Sequence, residues 1–330
     1  MGNMFKTSIK DYFKGKSVLI TGGTGYVASN ILSLLKEVDC RVIAISRSGN
    51  RHGVSGGAAE VVWIEGDICD NSTWSGCLAG IDVVFHLAAQ TSAYFANEHP
   101  HADFEANVLP MIHILETCRQ QALNPFIVLA STVTICGIPS SLPVNEDHAD
   151  DPLTIYDLHK LSAERYLKCY IKRGIARGSI LRLPNIYGPG PHSSQPDRGI
   201  LNQMIRKALS GEALQVYKPG GQIRDYLYVT DAASAFLHAA LRMESVNGGH
   251  FIIGSGQGHS LYDAAKLVAD TCALKTGNRV EVKLVDPPFP QSPIESRNFV
   301  ADSRKFSAAT GWKALHQLSE GVVLNMESNV

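Results

Sequence analysis

Apolar runs and amphipathic stretches alternate regularly through the first half of this chain. Helical periodicity is clearest over residues 102–121 and 154–173. Short apolar runs bounded by turn residues predict buried parallel strands at 41–46, 61–65, 81–87, 126–131 and 179–183. Strands that alternate with helices in this way are typical of a doubly wound parallel sheet. We therefore predict an α/β fold of Rossmann type.

The regular alternation ends after Pro184, where a loop-forming string occupies residues 185–191. Shorter elements follow, with predicted helices over 199–209, 231–243 and 261–273 and predicted strands over 214–217, 225–229 and 280–285. The change of pattern predicts a Rossmann domain over residues 1–184, of which 1–15 are an N-terminal extension. A smaller α/β region over 185–330 is expected to bind substrate and to return segments to the main domain.

The composition argues against nucleic-acid and membrane partners. The 330 residues are 45% hydrophobic and 18% charged, with a net charge of −1 and a pI near 6.9, whereas nucleic acids and anionic membranes attract basic surfaces. No apolar run reaches 18 residues, and the first 16 residues are too polar for a signal peptide. The seven cysteines form no Cys-x-x-Cys pair, so we expect buried thiols in a reducing cytoplasm. No histidine or cysteine cluster has metal-ligand spacing, so we expect no metal.

A nearly bare turn joins the first apolar run to a helix at Thr21-Gly22-Gly23-Thr24-Gly25-Tyr26-Val27-Ala28. Gly22 can take a positive φ for the turn, and Gly25 allows close approach of the backbone to a ligand. Such a turn directs backbone N–H groups and the positive end of a helix at a pyrophosphate. A plain strand-to-helix turn is the alternative, and the position between a strand and a helix favours a dinucleotide.

Tyr156 and Lys160 form a Tyr-x-x-x-Lys pair on the helix predicted over 154–173. A spacing of four residues puts both side chains on one face. An ammonium group beside a phenol favours the phenolate, so this tyrosine is suited to proton transfer at a hydroxyl or carbonyl. Upstream, a strand ends at Ser131-Thr132 and offers hydroxyls at the carboxyl edge of the sheet, where ligands bind. A surface ion-pair spacing is the alternative, and the ordered succession of three signals argues against it.

The chain resembles the extended short-chain dehydrogenase/reductase family of nucleotide-sugar epimerases, dehydratases and reductases over about residues 16 to 325. The resemblance rests on Thr21-Gly22-Gly23-Thr24-Gly25, Gly66-Asp67-Ile68, His86-Leu87-Ala88-Ala89-Gln90, Asn107, Tyr156 with Lys160, residues 181–190, Arg224-Asp225-Tyr226, residues 228–231 and Thr310-Gly311-Trp312. It implies a dinucleotide-binding Rossmann domain and a nucleotide-sugar substrate.

The resemblance also implies roles for single residues. The implied catalytic residues are Thr132, Tyr156 and Lys160. The implied cofactor contacts are Gly22, Gly25, Tyr26, Val27, Asp67, Ile68, Leu87, Ala88, Ala89, Lys160 and Leu183. The implied substrate contacts are Thr91, Ser131, Asn185, Arg224 and Arg297. The two arginines match positions that hold the diphosphate, for which guanidinium forks are suited; an ion pair of Arg224 with Asp225 or Asp231 is the structural alternative.

The residues that end the second strand depart from the pattern of NAD-preferring relatives, which carry an acidic residue there. Here the strand ends at Ser46-Arg47-Ser48. A carboxylate would repel the 2′-phosphate of NADP, whereas hydroxyls and a guanidinium could bind it. We therefore expect NADP(H) as the preferred cofactor, with NAD(H) as an alternative. Arg47 could instead stack near the adenine or lie in solvent.

The segment after Thr132 also departs from the dehydratases of the family, which carry an acidic pair there. Val133 and Thr134 fill these places and cannot act as acid or base, so 4,6-dehydration is not expected. The patterns at residues 131–137 and 156–161 look most like the sugar-nucleotide 4-ketoreductases of deoxysugar pathways, although 4-epimerases share most of them.

We predict NADPH-dependent reduction of a nucleotide-linked 4-keto-6-deoxy sugar. Hydride would reach C4 of the sugar, Tyr156 would protonate the C4 oxygen, and Thr132 would polarise that oxygen. Lys160 would lower the pKa of Tyr156 and hold the nicotinamide ribose. The alternatives are a 4-epimerase with a retained NAD and a non-catalytic dinucleotide-binding regulator. A homodimer through the helices over 102–121 and 154–173 is expected, as is common in the family.

Overall fold

The computed structural model describes residues 3–47, 56–74, 76–191, 199–288, 291 and 293–328. Ser48, one of the expected cofactor contacts, lies outside the described residues. The strands are β1 (Ser17–Thr21), β2 (Arg41–Ser46), β3 (Glu60–Glu65), β4 (Val83–His86), β5 (Phe126–Thr132), β6 (Arg177–Leu183), β7 (Asn185–Tyr187), β8 (Leu214–Tyr217), β9 (Ile223–Tyr228), β10 (His250–Ile252), β11 (Gly258–Ser260) and β12 (Val282–Val285).

The helices surround these strands. They are α1 (Asn3–Phe13), α2 (Tyr26–Leu35), α3 (Asn71–Trp74), α4 (Ala93–Glu98), α5 (Pro100–Asn107), α6 (Leu109–Gln120), α7 (Ile155–Lys172), α8 (Ile200–Leu209), α9 (Val229–Leu241), α10 (Met243–Val246), α11 (Leu261–Thr276), α12 (Arg304–Thr310) and α13 (Leu318–Glu327). Two 3₁₀ turns span Val133–Cys136 and Pro293–Ser296. None of the helices in the described part of the chain has the length and apolarity needed to cross a bilayer.

The main sheet contains seven parallel strands in the order β3-β2-β1-β4-β5-β6-β10. The chain moves outward from β1 through β2 to β3, and then outward on the other side from β4. The strand order therefore reverses between β1 and β4, and in such sheets the ligand crevice opens at the carboxyl ends of those strands. This confirms the predicted Rossmann-type fold.

Alternation along the strands builds one hydrophobic core on each face of the sheet. Ile20 of β1 and Phe85 of β4 face the core formed with α1, α2 and α9. Their neighbours Leu19 and Val84 face the other core, formed with α3, α6 and α7. Both faces are therefore buried, which explains why the strands are apolar runs rather than alternating ones. Phe13 is buried in the first core, so the N-terminal helix packs onto the main sheet.

One segment that was predicted as a single helix forms two helices. The segment 102–121 forms two helices, α5 and α6, that meet at Val108. Pro110 lies in the first turn of α6, where its missing N–H costs nothing, whereas in the middle of a single helix it would remove a hydrogen bond. The predicted helix over 154–173 matches α7 closely.

The C-terminal part of the chain contributes to two regions. Strands β11, β9 and β7 form a small sheet, and β12 pairs with β8. A third hydrophobic core lies between these strands and α8, α11 and α13. In contrast, β10 adds to the edge of the main sheet beside β6, and α9 packs on α2. The expected domain boundary at residue 184 stays a prediction.

Candidate active site

The glycine turn between β1 and α2 lies against the end of β4. Gly22 has φ +68°, and a Cβ atom there would come within 3.0 Å of the Ala88 backbone. Gly25 N–H donates to the Gly22 carbonyl at 2.7 Å, and a Cβ atom at Gly25 would lie 2.8 Å from that oxygen. Both glycines are therefore required by the turn itself. The turn leaves the N-terminus of α2, with its unpaired N–H groups, directed at the crevice.

A buried hydroxyl fastens β1 to β4 at this edge. Thr21 Oγ1 accepts hydrogen bonds from the N–H groups of Leu87 and Ala88, both at 3.0 Å, and lies 2.9 Å from His86 Nδ1. Since both lone pairs of the hydroxyl are used, its proton goes to Nδ1. Burial lowers the pKa of His86 to about 3, helped by the positive charge of Lys160, so the imidazole is neutral. Leu87, Ala88 and Ala89 are consequently half-buried along the crevice.

A chain of hydrogen bonds connects the end of β5 to the first turn of α7. Thr132 Oγ1 accepts from Thr134 N at 3.2 Å and lies 2.8 Å from Thr134 Oγ1. The Thr134 hydroxyl donates to Asp157 Oδ1, so Thr132 is the donor between the two threonines. Asp157 Oδ2 accepts from Thr154 N at 3.2 Å, and Thr154 Oγ1 accepts from Asp157 N at 3.2 Å. This reciprocal capping box brings Tyr156 to the same sheet edge as Thr132.

Tyr156 and Lys160 follow one another along the buried face of α7, and both side chains are buried with Thr132. Burial lowers the pKa of Lys160 to about 8, while the charges of Glu164 and Asp103 act in the opposite direction. The positive charge of Lys160 also helps to lower the pKa of His86 at the end of β4. The structure therefore brings the expected catalytic trio to the carboxyl edge of the sheet, with Thr132 at the end of β5 and the other two residues on the helix that packs against β5.

Ser131 has a different environment. Its hydroxyl donates to Glu164 Oε1 at 2.6 Å, and the same carboxylate is held by Arg182 through Nε and Nη2 at 2.9 and 2.7 Å. All three side chains are buried. Neighbouring residues of a strand point to opposite faces, so Ser131 packs under α7 while Thr132 faces the crevice. In this structure the Ser131 hydroxyl binds Glu164, and the substrate contact expected from Ser131 stays a prediction.

Arg297 is a buried cation with unused hydrogen-bond donors. It is 6% exposed, and its Nε and Nη1 atoms have no hydrogen-bond partner. Burial and the neighbouring Arg224 lower its pKa to about 10, and the charge of Asp157 opposes this. The guanidinium lies 5.8 Å from the centroid of the Phe299 ring, which packs with Val133 and Cys136 directly after β5. A buried arginine with free donors suits an anionic ligand.

Arg224 is fixed by backbone carbonyl groups. It donates to the carbonyls of Ile223 at 3.2 Å, Glu295 at 2.8 Å, and Arg297. The predicted alternative, an ion pair with Asp225 or Asp231, is wrong, because those carboxylates bind N–H groups of residues 255, 256 and 301 and of residues 315 and 316, respectively. Arg224 thus holds the segment that presents Arg297.

The end of β2 carries no carboxylate. The Ser46 hydroxyl lies 3.0 Å from Thr24 Oγ1 in the glycine turn, and Arg47 is exposed. After β3, Asp67 Oδ1 accepts from Cys69 N at 2.9 Å, and the Ile68 carbonyl accepts from Trp74 Nε1 at 2.9 Å. These bonds shape the loop that was expected to meet the adenine.

The remaining predicted residues lie around the crevice. The Tyr26 hydroxyl donates to the Gly188 carbonyl and accepts from Asn202 Nδ2 at 2.9 Å, which connects α2 to the segment after β7. Val27 follows it in the first turn of α2. Leu183 ends β6 opposite Thr132, and Asn185 lies in β7 opposite Tyr226. Thr91 is exposed in the loop after β4.

Several residues around the crevice were given no role in the site from the sequence: Thr21, Asp103, Asp157 and Glu164. The Thr154-x-x-Asp157 spacing is a visible capping-box pattern and could have identified the anchor of α7. The other residues acquire their partners from distant segments, which no local pattern signals. Within the described residues, no group of three or more His, Cys, Asp or Glu side chains could hold a metal ion.

The chain is similar to known proteins in sequence and in structure. The sequence model of the NAD-dependent epimerase/dehydratase family matches residues 18–254. A Methanocaldococcus jannaschii protein, provisionally named UDP-glucose 4-epimerase, is 30% identical over 318 residues, or 94% of this chain and 98% of the relative. A solved UDP-glucose 4-epimerase from Thermotoga maritima with UDP-glucose is 25% identical with a TM-score of 0.83, covering 95% of this chain and 98% of that one. The Thermus thermophilus UDP-glucose 4-epimerase in complex with NAD is 26% identical with a TM-score of 0.79, covering 94% and 98%.

Proposed function

The chain belongs to the NAD-dependent epimerase/dehydratase family, and we propose that it catalyses C4 epimerisation of a nucleotide sugar, with Tyr156 as the acid and base. The observation that carries this proposal is the burial of Thr132, at the end of β5, and of Tyr156 and Lys160 on α7, the helix that packs against β5. A nicotinamide dinucleotide held at the glycine turn would supply the reversible hydride chemistry at C4. The fit of the chain to such a group rests on the bare turn at Gly22 and the free end of α2.

Tyr156 removes the proton of the C4 hydroxyl during oxidation and returns it during reduction. The Lys160 ammonium stabilises the phenolate form that takes up this proton and would bind the nicotinamide ribose. Thr132 donates its proton to Thr134 in the free protein. When substrate binds, Thr132 redirects that proton to the C4 oxygen, while its N–H contact with Thr134 keeps the side chain in place.

Arg297 is the proposed anchor of the substrate diphosphate. Its Nε and Nη1 atoms are buried without partners, and a diphosphate oxygen would supply the missing acceptors. The nearby Arg224 adds positive charge and fixes the Arg297 backbone. Relatives named UDP-glucose 4-epimerase align over nearly the whole chain, which supports a UDP-sugar as the first substrate to test.

NADPH-dependent reduction of a 4-keto sugar is the second candidate, and one observation favours it. The end of β2 offers Ser46 and exposed Arg47 instead of a carboxylate, which suits a 2′-phosphate. An NADP(H)-dependent enzyme exchanges its cofactor in every turnover, whereas an epimerase reuses one. The predicted preference of the protein for NADP over NAD is therefore part of the reductase proposal.

The cofactor released by the purified protein separates the two candidates. An epimerase should release NAD on denaturation and should interconvert UDP-glucose and UDP-galactose, or a related 4-epimer pair, with no added cofactor. A reductase should lack stoichiometric NAD and should consume NADPH with a nucleotide-linked 4-keto-6-deoxy sugar. If the protein binds the cofactor but turns over neither the UDP-sugars nor the 4-keto sugars, both candidate functions are contradicted. That result would favour a regulator that binds dinucleotides.

A further inference from the structure

Side-chain hydrogen bonds join the first turn of α2 to the segment that follows β7. Burial raises the pKa of Tyr26 above its ordinary value, so its hydroxyl keeps its proton. This hydroxyl donates to the Gly188 carbonyl and accepts from Asn202 Nδ2 at 2.9 Å. Asn202 Oδ1 in turn accepts from the Gly188 N–H at 3.1 Å. Tyr26 and Asn202 therefore bind both polar backbone groups of Gly188.

Two further asparagines extend this network. Asn325 Nδ2 of α13 donates to Asn202 Oδ1 at 2.8 Å. Asn30, one turn after Tyr26 in α2, donates to the Tyr26 carbonyl at 3.0 Å and to the Pro189 carbonyl at 3.3 Å. These side chains form a clasp that consists of Tyr26, Asn30, Asn202 and Asn325. The clasp connects α2 with α8, with α13 and with the segment after β7.

The segment held by the clasp passes so close to its neighbours that it requires glycine. Gly190 has φ +153°, and a Cβ atom there would lie 2.6 Å from the Tyr26 ring. Gly188 has φ +132°, and a Cβ atom there would lie 2.7 Å from Val229 Cγ1. A side chain at Gly190 would therefore push the segment away from α2.

The clasp lies between two hydrophobic cores and beside the glycine turn. Tyr26 directly follows Gly25, at the end of α2 that is directed at the crevice. Helix α2 packs into the first core of the main sheet, whereas α8 and α13 pack into the third core. Hydrogen bonds between neutral groups contribute little net free energy, so the clasp can open while both cores stay packed. Segments that close beside a ligand site often limit how fast the ligand leaves.

We propose that the clasp holds α8, α13 and the segment 188–190 against the glycine turn and thereby sets the rate at which a bound dinucleotide leaves. This inference rests on the proposed function, because an epimerase reuses one cofactor and has to retain it through turnover. The four residues of the clasp are positioning residues, since their side chains bind one another and the backbone of this segment. Opening of the clasp frees residues 188–190 from α2 and precedes release of the cofactor.

Tyr26→Phe tests the clasp, because it removes one donated and one accepted hydrogen bond and keeps the ring that packs on Gly190. The protein is loaded with NADH or NADPH, whichever it binds more tightly, and is mixed with an excess of the oxidised cofactor. The change in cofactor fluorescence gives the release rate without any turnover. We expect release to accelerate by ~10-fold, the effect of losing two neutral hydrogen bonds. An unchanged release rate would overturn the proposal.

Tyr170→Phe is the matched control. The Tyr170 hydroxyl donates to Glu116, and Tyr170 packs on the core that lies on the other face of the main sheet from α2. This variant also loses a tyrosine hydrogen bond, but it should release the cofactor at the unmodified rate. Urea denaturation of the cofactor-free proteins compares their stabilities. If Tyr26→Phe lowers the free energy of unfolding and does not accelerate release, its hydroxyl has only a structural role.

Asn202→Ala and Gly190→Ala test the clasp from the opposite side, and both should accelerate release although Tyr26 is retained. Because Tyr26 and Asn202 belong to one network, the double variant Tyr26→Phe with Asn202→Ala should release the cofactor little faster than the faster single variant. Multiplied effects would contradict a common clasp. If Tyr26→Phe does not fold, the two alanine variants decide the question, and unchanged release in both would overturn the proposal. Failure of the proposed C4 chemistry would instead remove turnover and leave these release rates intact.

Discussion

Burial and neighbouring charges shift the pKa of the Lys160 ammonium group in opposite directions. Burial lowers its pKa to about 8, and the carboxylates of Glu164 and Asp103 oppose that change. Near neutral pH the side chain therefore still carries a proton, but it holds that proton much less tightly than a surface lysine does. A charge that must be present for chemistry and is unfavourable for folding is typical of a functional site.

This opposition predicts how stability depends on pH. An unfolded lysine titrates near ~10.4, whereas the folded Lys160 titrates at about 8. Between these values the unfolded chain binds more protons, so the contribution of Lys160 to the free energy of unfolding rises with pH. Relative to Lys160→Met, the unmodified protein should gain up to about 3 kcal/mol between pH 7 and 10.5. Urea denaturation across this range measures the difference, in which the titration of tyrosines and cysteines cancels; a constant difference would contradict the assigned burial.

Tyr156→Phe is predicted to give a folded protein with little activity. The change removes only the phenolic oxygen from a buried side chain, so the core packing is retained, while the proton donor and acceptor is lost. Loss of a general acid or base lowers rates by ~10²–10⁴-fold. Turnover of the 4-epimer pair or of the 4-keto sugar measures the loss, and bound dinucleotide serves as the control for folding. Turnover near that of the unmodified protein would remove Tyr156 from the mechanism.

Arg47→Ala tests the cofactor preference separately. Arg47 is exposed at the end of β2, so its removal should not affect folding. If the guanidinium binds a 2′-phosphate, the affinity for NADPH should fall by ~10-fold or more, corresponding to a lost charge-assisted interaction of about 1.5–3 kcal/mol. The affinity for NADH should stay unchanged. Titration of both cofactors gives the ratio, and an unaltered ratio would leave Arg47 without a role in selection.

The residues that could be predicted from the sequence are those whose signals are local. Gly22 is identified by its position between a strand and a helix, and Tyr156 with Lys160 by a four-residue spacing. The network of Ser131, Glu164 and Arg182 could not be predicted in this way. Its members come from β5, α7 and β6, and only the packing of those elements creates the buried charge that holds Ser131 away from the crevice.

At the scale of elements, the first turn of α7 determines where the proposed acid and base lies. Thr154 and Asp157 cap this turn reciprocally, and Asp157 also binds Thr134 after β5. One carboxylate thereby orients the helix and connects it to the strand that carries Thr132. The helix was predictable because its capping box and its apolar face agree. The division of α5 from α6 was missed because the buried side chains of α5 are the polar Asp103 and Asn107, so no apolar face marks where that helix ends. Pro110 does mark the start of a new helix.

Thr154→Ala is predicted to destabilise the protein by about 1 kcal/mol, the usual effect of losing an N-cap side chain. Thr154 is buried and accepts from Asp157 N at 3.2 Å. Thr154→Ser keeps the hydroxyl and should restore most of the stability. Because Tyr156 lies two residues further on, the alanine variant should also turn over more slowly than the serine variant. Chemical denaturation and steady-state rates measure both effects, and equal behaviour of the two variants would show that the cap does not position α7.

At the scale of the whole molecule, the alternation of strands and helices was sufficient to predict the Rossmann-type sheet. It was not sufficient to place β10, which has three residues and pairs with β6 although β7, β8 and β9 lie between these two strands in the sequence. A strand of three residues is too short to show a hydrophobic periodicity in the sequence. Its place beside β6 depends on the packing of α9, which shares a hydrophobic core with Phe251 of β10. Arg297 follows β12, and its backbone is held by Arg224 of β9, 73 residues earlier in the chain. A contact between such distant segments could not be predicted from a local pattern.

The helices that carry the site also carry exposed apolar side chains. Leu158 and Tyr166 on α7 are 46% and 40% exposed, and Phe104 on α5 is 38% exposed. Phe104 packs against the ring of His159, so these side chains lie on neighbouring parts of one surface. Apolar groups clustered in this way favour association with another surface of the same kind, and a two-fold dimer is the simplest closed arrangement.

We therefore predict a homodimer that forms through α5 and α7. Leu158→Glu combined with Tyr166→Glu places charges in the proposed interface, and should yield a folded monomer because both residues are exposed in the single chain. Leu274→Glu is a matched control, since Leu274 is 88% exposed on α11, and it should remain dimeric. Sedimentation equilibrium measures the mass of each variant. A dimeric double variant would place the interface elsewhere, and a monomeric unmodified protein would contradict the dimer. Since α7 holds Tyr156 and Lys160, the monomer should also turn over more slowly, as its helix loses the support of the second copy.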